Sequence, residues 1–190
     1  MRKLTILLTL LICMLAQAQN AEKTYNQAKA LYDAKDYAKA FPLFQTAAKK
    51  GHKKAQYRVG LCFDKGRGVK EDDNQAFHWY SLSAAQGYAK AQYQLGRCFK
   101  KGEGTTADLG KAIAYFTKAA KQDNADGQYA LGKCYMKGQG VAKDMAKAKS
   151  WLLKSVRHDK DGDEILDKIR KDAAGGDEDA KQILQLIGKK

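Results

Sequence analysis

A unit of 36 residues repeats through this chain and constrains its fold more than any other feature. Cys62, Cys98 and Cys134 hold one position of the unit, and Ala40, Ala76, Ala112 and Ala148 hold another. Lys-Gly-x-Gly recurs at 65–68, 101–104 and 137–140, and Gln-Tyr pairs at 56–57, 92–93 and 128–129. A fixed period of this size marks stacked supersecondary units, each burying its apolar face against its neighbours. Residues that recur in register are therefore assigned to packing before chemistry. That places the cysteines, glycine turns and tryptophans in the structural column.

Residues 55–89 show what one unit is. Ala55, Val59, Cys62 and Phe63 fall at i, i+4, i+7 and i+8, which is one apolar face of a helix. Gly66 suits the left-handed C-terminal cap of that helix, and Gly68 allows a second tight turn. Asp72 to Asn74 then offer caps to a second helix carrying Ala76, Trp79, Tyr80 and Ser83. The next copies repeat this with Ile113, Tyr115 and Phe116, then Ala148, Trp151 and Leu152. The expected fold is all-α, a right-handed superhelical solenoid of antiparallel helix hairpins.

The ends differ from the repeats. Arg2 and Lys3, the apolar run Leu4 to Leu15 and the small-x-small Ala16-Gln17-Ala18 read as a cleaved signal peptide over 1–18. The apolar run is shorter than the roughly 20 residues of a membrane span. Acylation at Cys13 is the competing reading, disfavoured by Ile12 where a small residue is wanted. We expect export to the periplasm or secretion, leaving about 170 residues, enough for one continuous core. Three cysteines then remain in an oxidising compartment. Register-mates lie roughly a helix diameter apart, about 10 Å, beyond disulfide reach, so buried free thiols are expected. No zinc spacing is present.

Lys and Arg number 35 against 21 Asp and Glu, a net charge of +14. The excess falls on 20–158, while 159–179 is rich in acid. This suggests attraction to an acidic protein, lipid headgroups or cell-wall polymer, or simply solvated helix faces. Nucleic acid is not expected as a partner, given the expected export and the lack of a readout motif.

The residues then identify a family. Ala91, Leu95, Gly96, Phe99, Gly102, Gly104, Asp108, Lys111, Ala112, Phe116, Ala119 and Ala120 resemble the Sel-1-like repeat, a relative of the tetratricopeptide repeat. So do Ala55, Gly60, Phe63, Gly66, Gly68, Val69, Ala76, Trp79, Tyr80, Ala84 and Gly87, and Leu131, Gly132, Tyr135, Gly138, Gly140, Val141, Asp144, Ala148 and Trp151. The resemblance covers about 20–160 and implies a solenoid for protein–protein assembly, often outside the bacterial cytoplasm. Sel-1-like repeats are expected at 55–90, 91–126 and 127–158. A tetratricopeptide-like cap precedes them at 19–54, with Ala34-Lys35-Asp36-Tyr37 in place of the glycine turn. Pro42 should bend or break its second helix. A helical C-terminal cap is expected at 159–190, with helices at Glu164–Lys171 and Asp179–Ile187 split by Gly175-Gly176.

Chemical motifs mostly fail against packing. Gly66-Arg67-Gly68 has neither the preceding strand nor the Gly-Lys-Ser/Thr of a phosphate loop. Asp159 to Asp163 starts like a calcium loop but does not complete one, since Glu164 and Arg170 stand where glycine and glutamate are needed. Helix capping by Asp161 or Asp163 is the better account. His52, His78 and His158 have no triad partners at suitable spacing. Some family relatives are linked to β-lactams, but Ser81, Ser83, Ser150 and Ser155 lack a lysine three residues on. A β-lactam- or peptidoglycan-binding protein, or a weak β-lactamase, is the alternative to a non-enzymatic scaffold. We expect no cofactor and no metal.

In a hairpin solenoid the first helices line the concave surface. Beside their buried stripe lie Tyr57, Leu61 and Asp64, then Tyr93, Arg97 and Lys100, then Tyr129, Lys133 and Met136, with Tyr25, Lys29 and Tyr32 in the same frame. Tyrosine and arginine are enriched at interfaces. The candidate site is a ladder of Tyr25, Tyr57, Tyr93 and Tyr129 for a protein or peptide, acidic if Arg58, Arg97 and Lys133 select it. The competing reading packs these tyrosines and leaves only their hydroxyls wet.

Overall fold

A computed structural model describes the backbone of residues 2–157 and 160–189, and the side chains of 15–157 and 161–189. Every regular element among the described residues is an α-helix. One compact unit, Met1–Tyr88, holds α1 (Arg2–Asp33), α2 (Tyr37–Lys49), α3 (Lys53–Asp64) and α4 (Asp73–Ala85). The other, Ala89–Lys190, holds α5 (Ala89–Lys101), α6 (Leu109–Ala120), α7 (Ala125–Lys137), α8 (Met145–Ser155), α9 (Lys160–Ala174) and α10 (Glu178–Ile187). In both units consecutive helices pair as hairpins.

The hairpins close on bare backbone. A Cβ at Gly60 would stand 2.6 Å from the Tyr80 ring, one at Gly96 2.6 Å from Phe116, and one at Gly132 2.7 Å from Leu152. Those three large residues share one register position and are buried. Ala28 and Phe44 fill the equivalent place in the first hairpin. The period of the sequence is therefore the period of this one large-on-small contact.

The connecting turn is set by an aspartate acting twice. The Asp72, Asp108 and Asp144 amides donate to the carbonyls of Phe63, Phe99 and Tyr135 at 3.1, 2.7 and 2.9 Å. Their side chains accept from Gln75, Lys111 and Lys147 amides at 2.9 Å, capping the following helix. Gly66, at φ +60°, lets the chain turn so that the Arg67 amide reaches the Cys62 carbonyl at 2.9 Å. Gly68 is held by close approach as well as by φ +72°, because a Cβ there would collide with the Tyr37 carbonyl of the preceding hairpin.

Several expectations need correction. α2 runs unbroken through Pro42. One missing amide bond in an exposed second turn is outweighed by the burial of Ala40, Phe44, Ala47 and Ala48 on the same helix. The first C-terminal helix is longer than expected, because Asp161 and Asp163 lie within the first turn of α9, where carboxylates favour the dipole. The calcium-like segment is thus helical from Lys160 on. His158 and Asp159, read as a helix-end charge and the start of that segment, lie outside the described residues. α10 is capped by Asp177, whose side chain accepts from the Ala180 amide at 2.8 Å.

α1 is continuous across Ala16-Gln17-Ala18, yet Leu15 to Asn20 are exposed and its described burial begins at Ala21. No described helix is long and apolar enough to cross a membrane. Cys62, Cys98 and Cys134 are buried and form no disulfide, and burial pushes the Cys62 thiol up to about 11.

Candidate protein-binding faces

On the face of α1 and α3, Tyr57 is half-buried between Tyr80 and Tyr88, with ring centroids at 6.0 and 5.3 Å. Tyr25 is not a ligand-facing rung as expected. It is only 7% exposed, packed on Phe44 at 5.8 Å and on His52 at 4.7 Å. His52 caps α3 by accepting from the Ala55 amide through Nδ1 at 3.1 Å, while Nε2 meets Glu22 at 2.8 Å. That fixes His52 as a strut between helices and covers the Tyr25 ring.

Arg58 lies half-buried with its guanidinium 5.1 Å from the Tyr32 ring centroid. Desolvation opposes its charge, but hydrogen bonding to Tyr25 and proximity to Tyr57 and Tyr32 hold it above its ordinary value. Leu61 is half-buried beside it on α3.

On the face of α5 and α7, Tyr93 packs on Phe116 at 6.0 Å and Lys133 sits 5.4 Å over the Tyr129 ring. Burial pushes both hydroxyls up to about 12, helped by Asp126 at Tyr93 and by Asp172, Asp177 and Asp179 at Tyr129. The Arg97 guanidinium donates to Gln94 at 2.7 Å and lies 3.9 Å from Glu103. Burial, with Lys137 and Lys100 nearby, lowers the proton affinity of Lys133, while Asp179 and Asp177 oppose the effect. Lys137 pairs with Asp179.

Met136 does not belong to this face. It is 2% exposed and shares a core cluster with Ile165, Ile169 and Ile183 of the C-terminal helices. The cap covers the last copy, and its apolar side takes the methionine. Tyr93, Arg97, Lys100, Tyr129 and Lys133 remain partly open.

Sequence reasoning missed two groups. The glutamines of the Gln-Tyr pairs are buried struts: Gln56 donates to the Ala48 carbonyl at 3.3 Å and accepts from Gln86 at 2.7 Å, and Gln92 accepts from Gln122 at 2.7 Å. Their recurrence was the available signal. Arg67, set aside with its glycine turn, lies 5.5 and 5.3 Å from the ring centroids of Tyr32 and Tyr37 and donates to the Tyr32 hydroxyl. No periodic signal marks it, because Glu103 and Gln139 occupy its position elsewhere.

Three of the four serines weighed as nucleophiles are engaged with backbone. Ser81, Ser83 and Ser155 donate to the Phe77, Lys53 and Leu152 carbonyls at 2.8, 2.7 and 2.8 Å. Among the described residues no cluster of three or more His, Cys, Asp or Glu could hold a metal.

Comparison with known proteins agrees with this architecture. The Sel1 repeat model matches residues 33–52, 53–88, 89–124 and 125–159. A Sel1 repeat protein from Oxalobacter formigenes superposes with TM-score 0.68 and 32% identity, covering 72% of this chain and 54% of that one. A protective antigen of uropathogenic Escherichia coli displaying an SLR fold gives 0.71 and 26%, covering 94% and 40%. The DAP3-binding cell death enhancer 1 of Rattus norvegicus is 57% identical over 37 residues, 20% of this chain and 7% of its own length. Chitin synthase regulatory factor 3 of Schizosaccharomyces pombe is 49% identical over 41 residues, 22% and 4%. The chain thus spans less than a tenth of these curated relatives. With four matched repeats and large-on-small hairpins recurring at their period, the chain belongs to the Sel1 repeat family.

Proposed function

We propose that this chain is an exported, non-enzymatic adaptor that holds an acidic protein or extended peptide against its first-helix faces. The observation that carries this reading is the partly open tyrosine on each face bordered by cations: Tyr57 with Arg58, and Tyr93 and Tyr129 with Arg97 and Lys133. A rigid aromatic flanked by cations supplies contact area at small entropy cost and selects against positively charged partners. Engagement of Ser81, Ser83 and Ser155 with carbonyls supports a non-catalytic role. Sel1 repeats generally mediate protein–protein interaction, and the two relatives named for binding or regulating another protein match over one repeat length. Export is supported by the apolar Leu4 to Leu15 run before Ala16-Gln17-Ala18, and by described burial that begins only at Ala21.

The test is affinity capture with the wild type and an Arg97→Ala/Lys133→Ala variant at low and high salt. Acidic partners should be retained by the wild type at low salt and lost in the variant. Unchanged capture by the variant at low salt overturns the electrostatic part of this reading.

A further inference from the structure

We infer that Arg58 and Arg67 form a two-guanidinium clasp, built over Tyr32, for one carboxylate of a bound peptide. This rests on the reading that the first-helix face takes a peptide, and it assigns the recognition chemistry within Met1–Tyr88. The two guanidiniums lie 5.1 and 5.5 Å from the centroid of one ring, and Arg67 also lies 5.3 Å from Tyr37. Among the described residues neither arginine has a carboxylate at ion-pair distance. The acid that Arg58 does influence, Asp33, is held by Lys29 at 2.7 Å.

Both half-buried guanidiniums are held by tyrosine, Arg58 by Tyr25 and Arg67 by Tyr32, and neither by an acid. Arginine has five N–H donors in a rigid fork, and Arg67 spends one on the Tyr32 hydroxyl. The planar fork matches a carboxylate in a bidentate geometry that lysine cannot reproduce. Hydrogen bonding to tyrosine holds both cations in place before any ligand arrives, which lowers the ordering cost of binding. Arg67 is further fixed by its backbone, since its amide bonds the Cys62 carbonyl at 2.9 Å inside the glycine turn. The equivalent positions one period later are Gln94 and Glu103, and these satisfy Arg97 instead. The clasp is therefore a departure from the repeat and is not required by it.

The experiment follows the Arg Nε–H signals of the full chain by NMR during titration with N-acetyl-tetraglutamate amide. Tetraglutamine amide and inorganic phosphate serve as separate arms. The Arg58 and Arg67 signals should move together and saturate with tetraglutamate, and remain still with tetraglutamine. Arg67→Lys, which keeps the charge, should weaken binding by about tenfold. Shifts confined to Arg97 overturn the clasp while leaving the wider binding reading standing. No shift with any peptide overturns the clasp, and the Arg97/Lys133 capture experiment then decides the wider reading separately. Saturation by phosphate without a response to tetraglutamate overturns a peptide carboxylate as the ligand.

Discussion

In Met1–Tyr88 the cations beside the tyrosines, Arg58 and Arg67, lie at Tyr32 with no carboxylate at ion-pair distance among the described residues, and the acid Arg58 influences, Asp33, is taken by Lys29 at 2.7 Å. In Ala89–Lys190 the corresponding face supplies its own acids: Arg97 has Glu103 at 3.9 Å, and Lys133 and Tyr129 feel Asp177 and Asp179 of the cap. The hairpin contacts underneath are the same in both units, Gly60 on Tyr80 and Gly96 on Phe116. Packing therefore repeats while electrostatics do not. A repeat scaffold can vary its partly open positions independently, because each large-on-small contact is satisfied within its own hairpin.

The largest expected effect tests whether the scaffold is equivalent in the two units. Gly68→Ala and Gly140→Ala each place a Cβ against the backbone of the preceding hairpin, at Tyr37 and Leu109, in a left-handed conformation. Each should cost about 2–4 kcal/mol from overpacking and backbone strain, read by denaturant unfolding. A large difference between the two would break the equivalence. Gly60→Ala and Gly96→Ala push a methyl to 2.6 Å from a buried aromatic ring, and alanine's preference for the helix offsets part of that. Their net cost should be about 1–2 kcal/mol in the same measurement.

The electrostatic half of the comparison is sharpened by Asp177→Asn/Asp179→Asn. Removing these carboxylates should bring Tyr129 ionisation down from about 12, with Tyr93 staying near about 12. Tyrosinate absorbance during an alkaline titration reads this, and an unmoved profile would remove the cap acids from the account. The smallest effect concerns the turn aspartates. Amide and lysine partners hold Asp108 and Asp144 below the ordinary value of 3.8. Their charge-dependent stabilisation is thus present above that value and is lost as pH falls through their lower folded values. Asp108→Asn/Asp144→Asn keeps a capping side chain and should flatten the acid side of a melting-temperature profile. An unchanged acid limb would show that other carboxylates set it.

Much of the fold was legible because packing residues recur. Ala55, Val59, Cys62 and Phe63 mark the buried face of a first helix and Ala76, Trp79 and Tyr80 that of a second, while the close approach of Tyr80, Phe116 and Leu152 to Gly60, Gly96 and Gly132 shows only in the structure. The turn aspartates were legible as caps, although their second bond, from the amide to a carbonyl of the preceding helix, was not. The break expected at Pro42 misled because a local propensity was read without the burial around it. Tyr25 and Met136 misled for a related reason. Frame alignment treats every copy as an interior copy, whereas Tyr25 is covered by the His52 strut and Met136 by the terminal helices. Arg67 escaped notice because it is the variable letter in a constant turn.

The sequence by itself determined the helical hairpin, its period and its turns, because those depend on residues close in the chain or recurring one period apart. Only the tertiary structure decided which first-helix residues stay open and which cations have acids to pair with. Those properties depend on side chains arriving from other helices, as His52 meets Glu22, Arg67 meets Tyr32 and Asp179 meets Lys137. Such encounters bring together residues that share no register position, and a periodic sequence carries no mark of them.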